Sequence, residues 1–363
     1  MFGDFYRGKR VLITGETGFK GSWLSVWLLE MGAEVTGYSI GPPGEPSNFE
    51  SCALGERIEH VHGDVRESDR LSSLLREKKP QIVFHLAAQP LVRVSYEEPV
   101  QTFETNAMGT VHLLEAVRLT PEVKVVINVT SDKCYENREW IWGYRENDPL
   151  GGRDPYGGSK ACAEIIFSSY LHSYLRPRGI GAASVRAGNV IGGGDWGKDR
   201  LVPDCVRAWS SGAPVQIRMP AAVRPWQHVL EPLSGYLHLA ALLWHAPLKY
   251  TGAWNFGPGA SEGVTVRQLV SQMALFWGGC RWEEKEADGN GPEAASLTLC
   301  SDKANRELGW RCLLQITQSL RLTVDWYKDF YTRKKGRDMY PSCSGQIQEY
   351  AALARAAALP WAS

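Results

Sequence analysis

The sequence predicts an α/β fold: a Rossmann-type doubly wound parallel sheet with a smaller, mixed α/β C-terminal substrate lobe. Three observations lead there. Over the first 190 of 363 residues, short β-branched runs alternate with longer helical patterns, the signature of right-handed βαβ crossovers. Runs such as Val123-Lys124-Val125-Val126-Ile127-Asn128-Val129 are almost unbroken in apolar residues, as strands covered on both faces require. A glycine turn, Gly15-Glu16-Thr17-Gly18-Phe19-Lys20-Gly21, follows the first such run directly.

In order along the chain, strands are expected at 10–14, 34–39, 58–65, 82–88, 123–130 and 182–190, and helices at 21–31, 67–78, 100–119 and 155–175. After about residue 190 Gly and Pro become frequent and the rhythm breaks. The expected organisation is a dinucleotide-binding domain over 1–190, with return segments near 225–258. A substrate lobe over 191–330 and a peripheral tail over 331–363 complete it, the tail opening on a basic cluster (Arg333, Lys334, Lys335, Arg337).

Composition narrows the function classes. Forty Lys and Arg balance forty Asp and Glu, so the formal charge is zero and the chain lacks the basic surface that a nucleic-acid binder needs. The 44% hydrophobic and 22% charged content is that of an ordinary globular chain. The longest nearly apolar stretch, 237–248, contains two His and is too short to span a bilayer. The N-terminus has no secretory pattern, so a cytoplasmic location is expected. Eight scattered Cys without metal-ligand spacing are expected to be reduced, mostly buried thiols, and no metal is expected.

The glycine turn has G-x-x-G-x-x-G spacing and opens an amphipathic helix. Gly15 allows the tight turn, Gly18 lets backbone N–H groups approach a pyrophosphate, and Gly21 permits close helix–strand packing. The helix N-terminus then faces the phosphate charge, with Phe19 and Lys20 in its first turn. The carboxylate that usually holds the adenosine ribose should end the second strand, but that strand ends Gly37-Tyr38-Ser39-Ile40, without an acid or a local Arg. Spacing therefore leaves NAD and NADP both open. Asp64, beside Val65 at the end of the third strand, suits either an adenine amino group or the cap of the next helix. Leu86-Ala87-Ala88 ends the fourth strand with residues small enough for a backbone to lie flat on a ligand.

Tyr156 and Lys160 lie four apart at the start of a helix opened by Asp154-Pro155, which places them on one face. A tyrosine titrates near 10, and a nearby ammonium favours its phenolate. Thr130-Ser131-Asp132-Lys133 ends the fifth strand, where open α/β sheets place ligands.

In these residues the chain resembles the extended short-chain dehydrogenase/reductases that act on nucleotide sugars. The turn at 15–21, Leu86-Ala87-Ala88, Asn106, Ser131, Tyr156 and Lys160 fall in that family's order, over about residues 8–330. Asp132 points within the family to the 4,6-dehydratases, although Lys133 stands where most of them have Glu. The stretches 89–93, 188–196 and 224–229 look most like those that act on CDP-glucose.

The resemblance implies NAD as cofactor, held by Gly15, Gly18, Phe19, Lys20, Gly21, Asp64, Val65, Leu86, Ala87, Ala88, Asn106, Tyr156 and Lys160. It implies that Tyr156 takes the proton of the sugar 4-hydroxyl, that Lys160 lowers the Tyr156 pKa and that Ser131 orients the 4-oxygen. Asp132 then protonates the departing 6-hydroxyl, and Lys133 either removes the C5 proton, orients water or stabilises the enolate. Asn189 and Arg224 match the residues that touch the substrate diphosphate, whereas 293–297 lacks the second Arg of many relatives. His228 is expected to be structural, and the helices at 100–119 and 155–175 to pair in a homodimer through residues such as Ile165, Ile166, Phe167 and Leu171.

Overall fold

A computed structural model describes residues 1–259, 263–284, 297–332 and 338–363. The basic cluster at 333–337 and most of the 293–297 stretch lie outside the described residues.

Seven parallel strands form one sheet. They are β1 (Arg10–Thr14), β2 (Glu34–Ser39), β3 (Glu59–His62), β4 (Ile82–His85), β5 (Val125–Val129), β6 (Gly181–Ala187) and β7 (Gly252–Phe256), in the order β7-β6-β5-β4-β1-β2-β3. The chain reverses direction across the sheet between β1 and β4, and ligands of open α/β sheets bind outside the carboxyl ends at that point. Six of the strands match the sequence expectation; the edge strand β7 comes from beyond residue 190 and pairs with β6 from Gly252↔Ala183 to Phe256↔Ala187.

Every residue of β4, β5 and β6 is buried, because helices cover both faces. Within β1, Val11 and Ile13 enter one core cluster with Trp23, Trp27, Leu237 and Trp254, while Leu12 enters the other with Leu71, Leu113 and Phe167. That division is the two-residue alternation of a strand read out on opposite faces. Helices α1 (Phe19–Glu30), α2 (Ser68–Lys78), α3 (Gly109–Arg118) and α4 (Pro155–Tyr170) follow β1, β3, β4 and β5. Beyond β6 come α5 (Leu201–Ser210), α6 (Leu230–His245), α7 (Val266–Trp277), α8 (Ile316–Thr332) and α9 (Tyr340–Ala356).

The structure differs from expectation in three places. The helix at 100–119 is divided: a short turn Pro99–Phe103 and a π-helical segment Glu104–Met108 precede α3. Helix α1 is not amphipathic, since every residue from Gly21 to Leu28 is buried. Its outer face is covered by α9, which also makes the tail part of the core instead of peripheral. Cys343, Ile347 and Tyr350 of α9 are buried, and Trp361 stacks on Phe2 and Tyr350 at ring-centroid distances of 5.4 and 5.5 Å. After residue 190 the remaining strands are short pairs, including Val190–Ile191 with Gln227–His228 and Val223–Arg224 with Val264–Thr265. All eight Cys are free, four buried and four partly exposed. Among the described residues no helix is long and apolar enough to cross a membrane, and no group of His, Cys, Asp and Glu is placed to hold a metal ion.

Candidate active site

The carboxyl ends of β1, β4, β5 and β6 converge with the N-termini of α1 and α4. Gly15 has a φ of +76°, and a Cβ there would sit 2.7 Å from the Ala87 nitrogen. A Cβ on Gly21 would fall 2.2 Å from the Gly15 carbonyl oxygen. These two positions exclude any side chain, which holds the turn flat against Leu86-Ala87. Gly18 caps α1 without a side chain, so the first turn, with Phe19 and Lys20, offers backbone N–H groups to an anion. This cradle fits a dinucleotide pyrophosphate.

Around the turn, Val65 is buried against Gly109. Asp64 does not cap α2, whose N-cap is Glu67; its carboxylate accepts from the Arg66 backbone and from Arg66 Nε, each at 2.9 Å. Burial pushes Asp64 up, and the Arg66 contacts more than offset this and hold it below the ordinary value. Asn106 sits in the π-helical segment, and such segments recur at functional sites. Its amide is fully engaged: Oδ1 accepts from Gln89 N at 2.8 Å, and Nδ2 donates to Gln89 O at 3.1 Å and Ser159 Oγ at 2.9 Å. Asn106 therefore fixes the loop beyond Ala88 onto α4.

The reactive groups lie on one relay. Asp154 caps α4 by accepting from Gly157 N at 2.9 Å, which sets Tyr156 in the first turn. Ser131 faces the Tyr156 phenol and favours its ionised form. Ser131 Oγ donates to Asp132 Oδ1 at 2.9 Å, and Lys133 Nζ lies 3.6 Å from the same oxygen. Asp132 Oδ2 is buried with no partner among the described residues, beside Gly188, where a Cβ would come within 2.7 Å of it.

Burial pushes the Tyr156 pKa up; the Ser131 bond and the charges of Lys133 and Arg200 work against that rise. Asp132 holds Lys133 above the ordinary lysine value, so Lys133 is an ammonium at neutral pH. Lys160 turns toward β5, donating to Val129 O at 3.3 Å, and burial pulls it down to about 8. Lys20 is likewise pulled to about 8, by burial first and Arg200 second. Lys133 and Arg200 are thus cations that favour the Tyr156 phenolate here.

Asn189 links β6 to the Val190–Ile191 strand and accepts Gln227 N through its carbonyl at 3.0 Å. Arg224 donates to Val223 O at 3.0 Å, and its charge is felt at Lys133. His228 is fully buried and pulled down to about 3, so it is neutral.

Sequence reasoning missed three charged groups. Arg200 pairs with both Asp195 oxygens, at 3.0 and 2.9 Å, and sits four residues after the 188–196 stretch. Glu164, one turn beyond Lys160, pairs with buried Arg186 at 2.7 Å and also accepts from Thr130 and Ser184. Continuing the four-residue spacing from Tyr156 through Lys160 would have found it. Glu16, inside the glycine turn, is fully buried; its Oε1 accepts from Ser39 Oγ at 3.0 Å and faces His60 Nδ1 at 2.6 Å. Burial raises its pKa, and the His60 and Ser39 bonds work against that.

Comparison with known proteins bears on the same residues. The family model described as GDP-mannose 4,6 dehydratase matches residues 12–239, which include the glycine turn, the relay and Asn189. The chain belongs to the GDP-mannose 4,6-dehydratase family. It is 49% identical over 352 residues to the CDP-glucose 4,6-dehydratase of Salmonella typhimurium, covering 96% of this chain and 97% of that protein. It is 34% identical over 187 residues to the GDP-mannose 4,6-dehydratase of Vibrio cholerae, covering 46% of each. Among solved structures, the UDP-glucose 4-epimerase of Thermus thermophilus in complex with NAD matches with a TM-score of 0.75 and 29% identity, covering 88% of this chain and 99% of that one. The dTDP-glucose 4,6-dehydratase DesIV of Streptomyces venezuelae, with NAD and TYD bound, matches with a TM-score of 0.75 and 25% identity, covering 88% and 97%. The extended short-chain dehydrogenase/reductase resemblance and the Rossmann-type sheet are both borne out.

Proposed function

We propose that this protein is an NAD-dependent lyase that converts CDP-glucose to CDP-4-keto-6-deoxyglucose with loss of water, as its 49%-identical relative is named for. The observation that carries the reading is Asp132, a buried carboxylate with one oxygen unpartnered among the described residues, hydrogen-bonded to the Ser131 hydroxyl that faces Tyr156. An epimerisation at C4 needs no such acid, whereas elimination does. A bound nicotinamide dinucleotide supplies the hydride acceptor for C4 and the donor for C6. The glycine cradle, Val65, Asp64 and the Leu86–Ala88 segment hold it, with Asn106 fixing the loop beyond.

Tyr156 accepts the 4-hydroxyl proton, with Ser131 orienting the oxygen. The resulting 4-ketone acidifies C5–H. Asp132 takes the C5 proton and passes it to the departing 6-hydroxyl, which leaves as water. Lys133, held as an ammonium by Asp132, stabilises the enolate oxygen and returns a proton to C5 once C6 is reduced. This assigns Lys133 a donor's role and leaves proton removal to Asp132. Over the whole cycle the 4-hydroxyl proton is balanced by the proton gained at C5. Asn189 and Arg224, with Arg200, line the diphosphate side, where a guanidinium fork suits phosphate oxygens. The lobe over 191–330 is accordingly the substrate side of the cleft.

The test is incubation with CDP-glucose and catalytic NAD, with UDP- and dTDP-glucose in parallel. Loss of one water from CDP-glucose alone, without build-up of reduced cofactor, is the expected result. Net cofactor reduction, or C4 inversion at constant mass, would overturn the reading.

We also propose a homodimer and a cytoplasmic location. Of the residues expected at a dimer face, Phe167 and Leu171 are buried in the core, and Ile165 remains 59% exposed. Val100 and Phe103 are exposed in the turn that packs on α4. Sedimentation at micromolar concentration is expected to give the dimer mass; a monomer there would contradict it.

A further inference from the structure

The end of β2 lacks the acid that usually receives the adenosine ribose, yet the structure delivers a carboxylate there from another element. Glu16 leaves the glycine turn, runs beneath β2 and is fully buried. Room for it exists because position 37 is glycine: a Cβ on Gly37 would fall 2.3 Å from Glu16 Cγ. The side chain ends against Ser39, the last residue of β2.

We propose that Glu16, acting through Ser39 and Thr17, makes this site select a dinucleotide with a free adenosine 2′-hydroxyl over its 2′-phosphorylated form. The selection rests on the cofactor-binding reading above and follows from where the hydroxyl protons point. Ser39 Oγ donates its only proton to Glu16 Oε1 at 3.0 Å. Thr17 Oγ1 gives its only proton to Gly41 O at 2.8 Å or to Ser39 Oγ at 3.0 Å, so in either case none points outward. Gly41 N approaches Ser39 Oγ at 3.4 Å, which leaves that oxygen a further lone pair. Both hydroxyls at the end of β2 therefore present acceptors. A ribose hydroxyl, being a donor, is complementary to them.

A phosphate monoester is not, because it brings further acceptor oxygens and about −1.5 to −2 charges. Glu16 sharpens the contrast, since Oε2 is buried with no partner among the described residues. An anion added over Ser39 meets a carboxylate beneath it, a like-charge juxtaposition. His60, on β3, is the titratable side chain that faces Glu16, at 2.6 Å. It bonds Oε1, the oxygen that Ser39 also uses, so it does not turn the Ser39 proton outward. Glu16 is thus a positioning residue for specificity and touches no reacting atom.

Glu16→Gln keeps the volume and puts an amide donor within reach of Ser39 Oγ, which frees the Ser39 proton to point outward. The experiment is titration of cofactor-free protein with NAD and with NADP, without nucleotide sugar, followed by calorimetry or tryptophan quenching. The native chain is expected to bind NAD at least about tenfold more tightly. E16Q is expected to narrow that ratio by about tenfold, chiefly through tighter NADP binding. A ratio unchanged in E16Q, or no preference in the native chain, would overturn the proposal. Binding of neither dinucleotide would overturn the cofactor reading itself.

Ser39→Ala serves as a second variant, independent of the buried carboxylate's fold contribution. It removes one acceptor and leaves Glu16 in place, so NAD binding is expected to weaken while NADP stays excluded. Equal weakening of both ligands would show a merely structural role and overturn the proposal.

Discussion

Ser131 Oγ joins the group that handles the 4-hydroxyl to the group that handles C5 and C6. It gives a hydrogen bond to Asp132 and faces the Tyr156 phenol, toward which its proton can turn as the phenolate forms. Its bond to Tyr156 favours the phenolate, which burial opposes. Ser131→Ala therefore raises the Tyr156 pKa further, and because the phenolate is the active form, the acid limb of the kcat–pH profile moves to higher pH. An unshifted limb, with kcat lowered uniformly, would show that Ser131 only positions the sugar. The residues of this relay were legible in the sequence because they lie on two short segments, 131–133 and 156–160. Arg200 and Glu16 were not, because their meaning lies in partners brought close only by the fold: Tyr156 and Lys20 for Arg200, Ser39 and His60 for Glu16. Lys133 was legible as a site residue, but its protonation was not, since that depends on a 3.6 Å ion pair.

At the scale of elements, α4 is the part that aligns the chemistry. Tyr156, Lys160 and Glu164 repeat at one turn's spacing, and Glu164 is locked to Arg186 of β6 and to Thr130 just beyond β5. Removing one member of a buried pair leaves the other charge uncompensated, at a cost of about 3–5 kcal/mol. Glu164→Ala is therefore expected to lower the urea midpoint by that amount of stability, with α4 losing its hold on the strands. A loss below about 1 kcal/mol would mean that water reaches Arg186 and the pair is not a structural tie. Strand positions were readable from apolar runs because both sheet faces are covered. The π-helical break before α3 was not, because nothing in the composition of 104–108 distinguishes it from ordinary helix. Helix α1 was misread as amphipathic because the element that buries its outer face, α9, lies more than 300 residues away in sequence.

For the whole molecule, buried histidines tie stability to pH, His85 and His228 most strongly. His85, which bonds Thr14 Oγ1 at 2.7 Å, and His228 are both pulled by burial from 6.5 to about 3. Their folded pKa values lie below the unfolded one, so the unfolded chain binds the extra protons. The stability they allow is complete above about pH 6.5 and is lost as pH falls toward about 3. Each contributes a slope of about 1.4 kcal/mol per pH unit in that window. Urea unfolding at pH 7.5 and 5.5 should show the loss, and His228→Leu should shallow the slope by one histidine's share. An identical slope in the variant would show that His228 is protonated in the folded state.

The same whole-molecule view makes the central claim testable in a single reaction, because one cleft must oxidise C4, eliminate water across C5 and C6, and reduce C6 of the same sugar. The measurement is mass spectrometry and proton NMR of the product from CDP-glucose carrying deuterium at C4, in ordinary water with catalytic NAD. The expected product is lighter by one water and retains the deuterium, now in the C6 methyl group. A product of unchanged mass, or loss of the deuterium to solvent or to accumulating reduced cofactor, would contradict it.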